Sequence, residues 1–139
     1  MKTSGSLAAT AIFLVAIPVS AQTLTSAGPM EITTVAEGLD EPWGLAFLPD
    51  GSFLLTERGG ALRLGQARGL LSIVGVPEVL LDGQGGLLDV MVPADFATSR
   101  EVWLSFAAPM GDGGATAAGF GKLSEDGSRL KDFRTVFMG

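Results

Sequence analysis

Beyond position 30, apolar residues come in short runs broken by glycine, proline and Asp-Gly pairs, and no stretch keeps a helical period. Those runs predict strands over Ile32–Ala36, Gly44–Leu48, Phe53–Thr56, Ala61–Leu64, Leu71–Val74 and Val79–Leu81. A second set follows at Leu87–Val92, Val102–Ala107, Thr116–Leu123 and Arg134–Phe137. Asp50-Gly51 and Asp126-Gly127 are hairpin dipeptides, and Gly59-Gly60 and Gly113-Gly114 predict further tight reversals. The expected class is all-β.

Two patterns narrow that class. Leu45-Ala46-Phe47-Leu48 and Val102-Trp103-Leu104-Ser105-Phe106-Ala107 are apolar at successive positions. A sheet with one wet face would alternate instead, so these strands are expected to be covered on both sides. The chain also repeats itself. Ala46-Phe47-Leu48-Pro49 with Asp50 resembles Val90-Met91-Val92-Pro93 with Ala94-Asp95, and the prolines lie about 44 residues apart. Phe53-Leu54-Leu55-Thr56 follows the first copy, as Val102-Trp103-Leu104-Ser105 follows the second. A period of roughly 40–45 residues with four short strands per unit marks β-propeller blades. The alternative is two unrelated meanders in a sandwich.

The N-terminus reads differently. Lys2 precedes the apolar stretch Leu7–Val19, and Val19-Ser20-Ala21 offers small residues for cleavage after Ala21. Residues 1–21 are therefore expected to be a secretory signal peptide, and a periplasmic or secreted location follows. A membrane-spanning helix needs roughly 20 apolar residues, and Pro18 argues against one, so no membrane association is expected after cleavage. Residues 22–30, rich in Thr, Ser, Ala and Gly, read as a linker, and residues 31–139 as the folded part.

Cleavage would leave about 118 residues, enough for one small domain with a modest core. Four-stranded units of this length number about two, whereas closed propellers have roughly four to eight blades. Two stacked sheets would leave an apolar face open at each end and could self-associate through them. The chain is thus expected to be the N-terminal part of a longer propeller or a truncated product. Its net charge of −6 is a poor match for nucleic acid. With no cysteine and no histidine, thiol chemistry and the usual zinc sets are excluded.

Candidate chemistry centres on Gly83-Gln84-Gly85-Gly86-Leu87-Leu88-Asp89. A single amide side chain between glycines at a strand entrance can reach a ligand that bulkier neighbours would hold away. It could equally satisfy loop backbone groups between blades. Asp89 and Glu57 are the nearest carboxylates, and pairing with Arg58 or Arg63 is the expected fate of such groups. Gly111-Asp112-Gly113-Gly114 supplies too few oxygens for Ca²⁺ and reads as a turn. Trp43 and Trp103 are expected to pack at corresponding ends of blade strands. Arg63, Arg68, Arg129, Lys131 and Arg134 form no basic patch along the chain.

The order of motifs carries a resemblance. Glu41-Pro42-Trp43-Gly44-Leu45-Ala46-Phe47-Leu48-Pro49-Asp50-Gly51 is followed by Leu54-Leu55-Thr56-Glu57-Arg58-Gly59-Gly60. Then come Gly75-Val76-Pro77-Glu78-Val79, the Gly83–Asp89 loop, Asp95-Phe96 and Asp132-Phe133-Arg134-Thr135-Val136-Phe137. Together they resemble the first third of the soluble PQQ-dependent sugar dehydrogenases, the glucose/sorbosone dehydrogenase family, nearest its aldose sugar dehydrogenase branch. One departure is Pro93-Ala94-Asp95-Phe96, where the family commonly has a residue and then Pro-Asp-Phe, so the proline stands one place early.

That resemblance implies a six-bladed propeller, of which this chain would hold about two four-stranded antiparallel blades. It implies pyrroloquinoline quinone (PQQ) and Ca²⁺ as cofactors, an aldose sugar as substrate and an external electron acceptor. The sugar's C1 hydroxyl would be oxidised by hydride transfer to PQQ. Gln84 is the one position matching a family site residue, a cofactor-binding contact. No catalytic or metal-binding residue of the family maps onto this chain, so the chain is expected to be inactive alone. The alternatives are a non-catalytic exported β-repeat binding module and a lactonase-type propeller hydrolase.

Overall fold

A computed structural model describes residues 22–139, and the expected signal peptide lies outside them. The stretch expected as a linker carries a two-stranded hairpin, β1 (Gln22–Thr25) with β2 (Gly28–Glu31). This hairpin belongs to a unit that ends at Val35, separate from the unit Ala36–Gly139.

The larger unit holds two four-stranded antiparallel sheets, each a simple meander. The first contains β3 (Pro42–Phe47), β4 (Phe53–Glu57), β5 (Ala61–Gln66) and β6 (Gly69–Ile73). The second contains β7 (Leu87–Met91), β8 (Glu101–Met110), β9 (Gly113–Leu123) and β10 (Leu130–Met138). These are two blades of a β-propeller, and they do not close into a ring.

The two blades are built alike in detail. In the first, Pro42 pairs with Glu57 and Leu45 with Leu55, with a bulge between them. In the second, Leu87 pairs with Phe106 and Val90 with Leu104, again with a bulge between. Pro42 and Leu87 are 45 positions apart, so the register of the first strands repeats at 45, one more than the proline spacing. The 45-residue offset aligns Asp50 with Asp95, and Pro93 therefore stands one residue early.

A hydroxyl on the second strand fills each bulge. Thr56 Oγ1 accepts from Gly44 N at 2.9 Å, and Ser105 Oγ accepts from Asp89 N at 3.0 Å. Asp50-Gly51-Ser52 and Asp126-Gly127-Ser128 also repeat one turn. The aspartate Oδ1 accepts from the serine amide two residues on, at 3.0 Å in the first turn and 3.1 Å in the second.

Burial follows the contact between blades. Leu54, Leu62 and Leu64 of the first blade form one core with Leu87, Val90, Val102, Leu104 and Phe106 of the second. The outer faces are not covered: Leu45 and Phe47 are exposed, and β8 alternates between buried and half-buried positions. The strands expected to be apolar on both faces are thus buried on one face only among the described residues.

Other differences have local causes. Ile32–Ala36 forms no strand and is largely exposed, with no paired neighbour to supply a ladder. Val79–Leu81 lies in the connection from β6 to β7, where Leu80 N donates to Ala107 O at 2.8 Å. The reversal expected at Gly113-Gly114 falls at Gly111-Asp112, and both glycines belong to β9. A single helical turn, α1 (Phe96–Ser99), is too short to leave a period in the sequence. It buries Phe96 and ends at Arg100, whose guanidinium lies 4.8 Å over the Phe96 ring and donates to Ser124 O.

Candidate functional site

The glycine loop rests on one arginine. Arg58 follows β4, and its main chain ties two blade entrances: its N–H donates to Glu41 O at 3.0 Å, and its carbonyl accepts from Leu87 N at 2.9 Å. Its guanidinium donates to both oxygens of Glu41, with Nη2 to Oε2 at 2.9 Å. Nη1 turns the other way and donates to Gly85 O at 3.0 Å and Gly83 O at 3.4 Å. The carbonyls on both sides of Gln84 are therefore held by a cation that is itself held by Glu41. Charge-assisted hydrogen bonds of this kind are roughly twice as strong as neutral ones.

The loop is also fixed from within. Gly85 N donates to Asp82 O at 2.7 Å, and Ala107 N donates to Gly86 O at 2.8 Å. Gly86 has φ 143°, and a Cβ there would stand 2.3 Å from Arg58 O. Only glycine allows the loop to lie this close to the arginine backbone. Gln84 is the one amide side chain of the loop. It is exposed, and no described residue forms a hydrogen bond with its amide.

The two neighbouring carboxylates are occupied or elsewhere. Glu57 is only 3% exposed; its Oε1 accepts from Asp40 N at 2.8 Å, and its Oε2 pairs with Arg63 at 2.8 Å. That is the expected structural role, with Arg63 as the partner. Arg58, the other candidate partner, pairs with Glu41 instead. Asp89 accepts from Val90 N at 2.9 Å through Oδ1, which also stands against Gly44 of the first blade, where an added Cβ would lie 2.7 Å from it; the residue also lines a shallow hollow of about 170 Å³ beside Met91, Trp103 and Ser105. Trp43 and Trp103 do not occupy corresponding places, because Trp43 is in a first strand and Trp103 in a second. Trp103 stacks on Phe120 at 4.5 Å, and Arg134 lies over that same ring. No group of three or more potential metal ligands exists among the described residues.

Residues 39–139 match the family described as Glucose / Sorbosone dehydrogenase. The chain belongs to that family. The chain is 52% identical over 112 residues to the aldose sugar dehydrogenase YliI of Escherichia coli, covering 78% of this chain and 30% of that one. The crystal structure of the soluble aldose sugar dehydrogenase of Escherichia coli in the apo-form superposes with a TM-score of 0.73, over 76% of this chain and 32% of that one. The PQQ-bound form of the aldose sugar dehydrogenase of Streptomyces coelicolor superposes with a TM-score of 0.69 at 31% identity, over 78% of this chain and 33% of that one. The chain thus spans about a third of the length of these relatives. Glu41 and Arg58, which position the loop, lie far apart in sequence and form no spaced motif, so nothing along the chain singled them out as partners.

Proposed function

We propose that this chain supplies the first two blades of a PQQ-dependent aldose sugar dehydrogenase, and that Gln84 is its contact to the bound cofactor or sugar. The observation that carries this reading is the exposed Gln84 amide on a loop clamped at both flanking carbonyls by Arg58. A carboxamide both donates and accepts, as a quinone carbonyl or a sugar hydroxyl requires. A loop held on both sides presents that amide with little motion left to freeze on binding. PQQ, when bound, supplies the hydride acceptor, and the protein supplies orientation and a base.

The residues in hand fit one edge of such a cofactor and no more. Gln84 would hold or orient it, and no other described side chain on the loop points to a ligand contact. Ca²⁺ prefers six to eight oxygens, and the described residues contain no carboxylate cluster to provide them. A calcium ion in this enzyme would be held by other parts of the complete protein. The chain contains no histidine to act as the base. We therefore expect no turnover from these 139 residues alone, and dependence on an aldose and an electron acceptor only in a complete enzyme.

Two experiments test this. Reconstitution of the chain with PQQ and Ca²⁺ is expected to give no aldose-dependent dye reduction, and appreciable reduction would refute its incompleteness. In a chimera, residues 39–139 replace the matching third of the Escherichia coli aldose sugar dehydrogenase. That chimera is expected to be active, and Gln84→Ala in it to lower kcat/KM by about tenfold or more, the scale of one lost hydrogen bond to a reacting complex. Equal activity of the two chimeras would remove Gln84 from the site. Export is a further part of the proposal: mass spectrometry of the secreted protein should find Gln22 at its N-terminus.

A further inference from the structure

We infer, resting on the role proposed for Gln84, that Glu41 is a positioning residue of the reaction, acting through Arg58 on the Gln84 amide. Two contacts separate Glu41 from any ligand. Its Oε2 accepts from Arg58 Nε at 3.2 Å and from Nη2 at 2.9 Å. That grip leaves Nη1 aimed at the carbonyls of Gly83 and Gly85, on either side of Gln84. A guanidinium is a planar, rigid fork, so fixing one edge fixes the direction of the other. The arginine stem lies close against the loop as well: a Cβ on Gly86 would stand 2.7 Å from Arg58 Cγ.

The fold holds the main chain at Glu41 without help from its carboxylate. Asp40 N donates to Glu57 Oε1 at 2.8 Å, Pro42 pairs with Glu57, and Glu41 O accepts from Arg58 N at 3.0 Å. In that setting Glu41 has φ 47°, a left-handed conformation that glycine adopts freely and a long side chain adopts at a cost. Pro42 adds to the cost, because a proline drives the residue before it towards extended backbone.

The ion pair returns little of that cost. The Glu41 side chain is 56% exposed, and solvent screens such pairs. Glycine at position 41 would keep the carbonyl that Arg58 N needs and would relieve the strain. It would give up only the grip on the guanidinium, and with it the fixed direction of Nη1. A glutamate here therefore does nothing for the fold that glycine would not do better, whereas it sets the clamp on the Gln84 loop.

The test uses the chimera in which residues 39–139 replace the matching third of the Escherichia coli aldose sugar dehydrogenase, loaded with PQQ and Ca²⁺. Glu41→Gly, Arg58→Lys and Gln84→Ala are compared singly, and the first two again in the Gln84→Ala background. Arg58→Lys keeps the charge and loses the fork. Glu41→Gly is expected to melt at or above the parent temperature, since it relieves a positive φ. Amide exchange of the Gly83–Leu87 segment should quicken about fivefold or more in that variant, as the segment opens more often. Its kcat/KM should fall about threefold or more, and Arg58→Lys should fall at least as far. With Gln84→Ala present, neither change should lower kcat/KM by more than about 1.5-fold further, because residues that act through one another do not add.

A melting temperature that drops together with activity in Glu41→Gly would make the pair structural and overturn the inference. Losses that multiply in the double variants would overturn it too, as would kcat/KM unchanged in Glu41→Gly while Gln84→Ala is impaired. A Gln84→Ala chimera as active as its parent would instead refute the role proposed for Gln84 and remove the basis for Glu41 with it. Exchange and melting need no turnover, so parent-like exchange in Glu41→Gly refutes the clamp even in an inactive chimera.

Discussion

Thr56 offers the sharpest test of how the blades are joined. It is fully buried, accepts from Gly44 N at 2.9 Å within its own blade and donates to Leu88 O of the next. Thr56→Val keeps the side-chain volume and removes only the hydroxyl, so no cavity term enters. The change strands a buried N–H, at about 1–3 kcal/mol, and a partly buried carbonyl at the lower end of that range. The expected loss is about 2–4 kcal/mol, a large share of the stability of a domain this size. Ser105→Ala removes the equivalent hydroxyl on the outer face, where solvent can replace it, and should cost about 1 kcal/mol or less. Urea unfolding of the chain, followed by the fluorescence of Trp43 and Trp103, reads both. With a urea slope of about 1–3 kcal/mol/M, Thr56→Val should lower the midpoint by roughly 1 M or more, and Ser105→Ala by a fraction of that. Thr56→Ser should recover most of the loss. Equal midpoints for Thr56→Val and wild type would refute the cross-blade pin.

Three further outcomes follow from the loop and the turns. Gly86→Ala places a Cβ 2.3 Å from Arg58 O at a φ of 143°, and should destabilise the chain by about 2 kcal/mol or more in a thermal melt. Arg58→Met frees the carbonyls of Gly83 and Gly85, so amide exchange at Gly85, Gly86 and Leu87 should accelerate. The half-exposed Glu41 pair itself contributes only about 1 kcal/mol or less. The Asp126 carboxyl accepts from the Ser124 hydroxyl and from the amide and hydroxyl of Ser128, which lower its pKa to about 2. Its stabilisation is therefore full above the ordinary aspartate range near 4 and lost as pH falls through about 2. A carboxyl-detected NMR titration should place its midpoint near 2, and Ser124→Ala should raise it; a midpoint near 4 in the wild type would remove the hydrogen bonds as the cause. Asp50, lowered chiefly by the Ser52 hydroxyl, should shift in the same direction.

Much of the architecture was legible in the chain because it is local. Strand runs, Asp-Gly turns and a repeat of about 44 residues each need only neighbours in sequence to define them, and ordered motifs from Glu41 to Phe137 identified the family. Gln84 was legible for the same reason, since a polar residue framed by glycines announces an exposed loop. What holds that residue was not legible. Arg58 meets Glu41 and the Gly83–Gly85 carbonyls only after β3, β4 and β7 have been brought side by side. The partners of Glu57 and Asp89 were open for the same cause, as two nearby carboxylates became one buried ion pair and one side chain set against Gly44 of the other blade. Hydrophobic runs likewise show that a strand wants covering, but not what covers it. Strand runs and periodicity determined the blades, and the ordered motifs carried the family resemblance, because both are written in local spacing. Tertiary structure alone decided which faces meet, which hydroxyl crosses between them and which arginine clamps the loop, because those are contacts between residues distant along the chain.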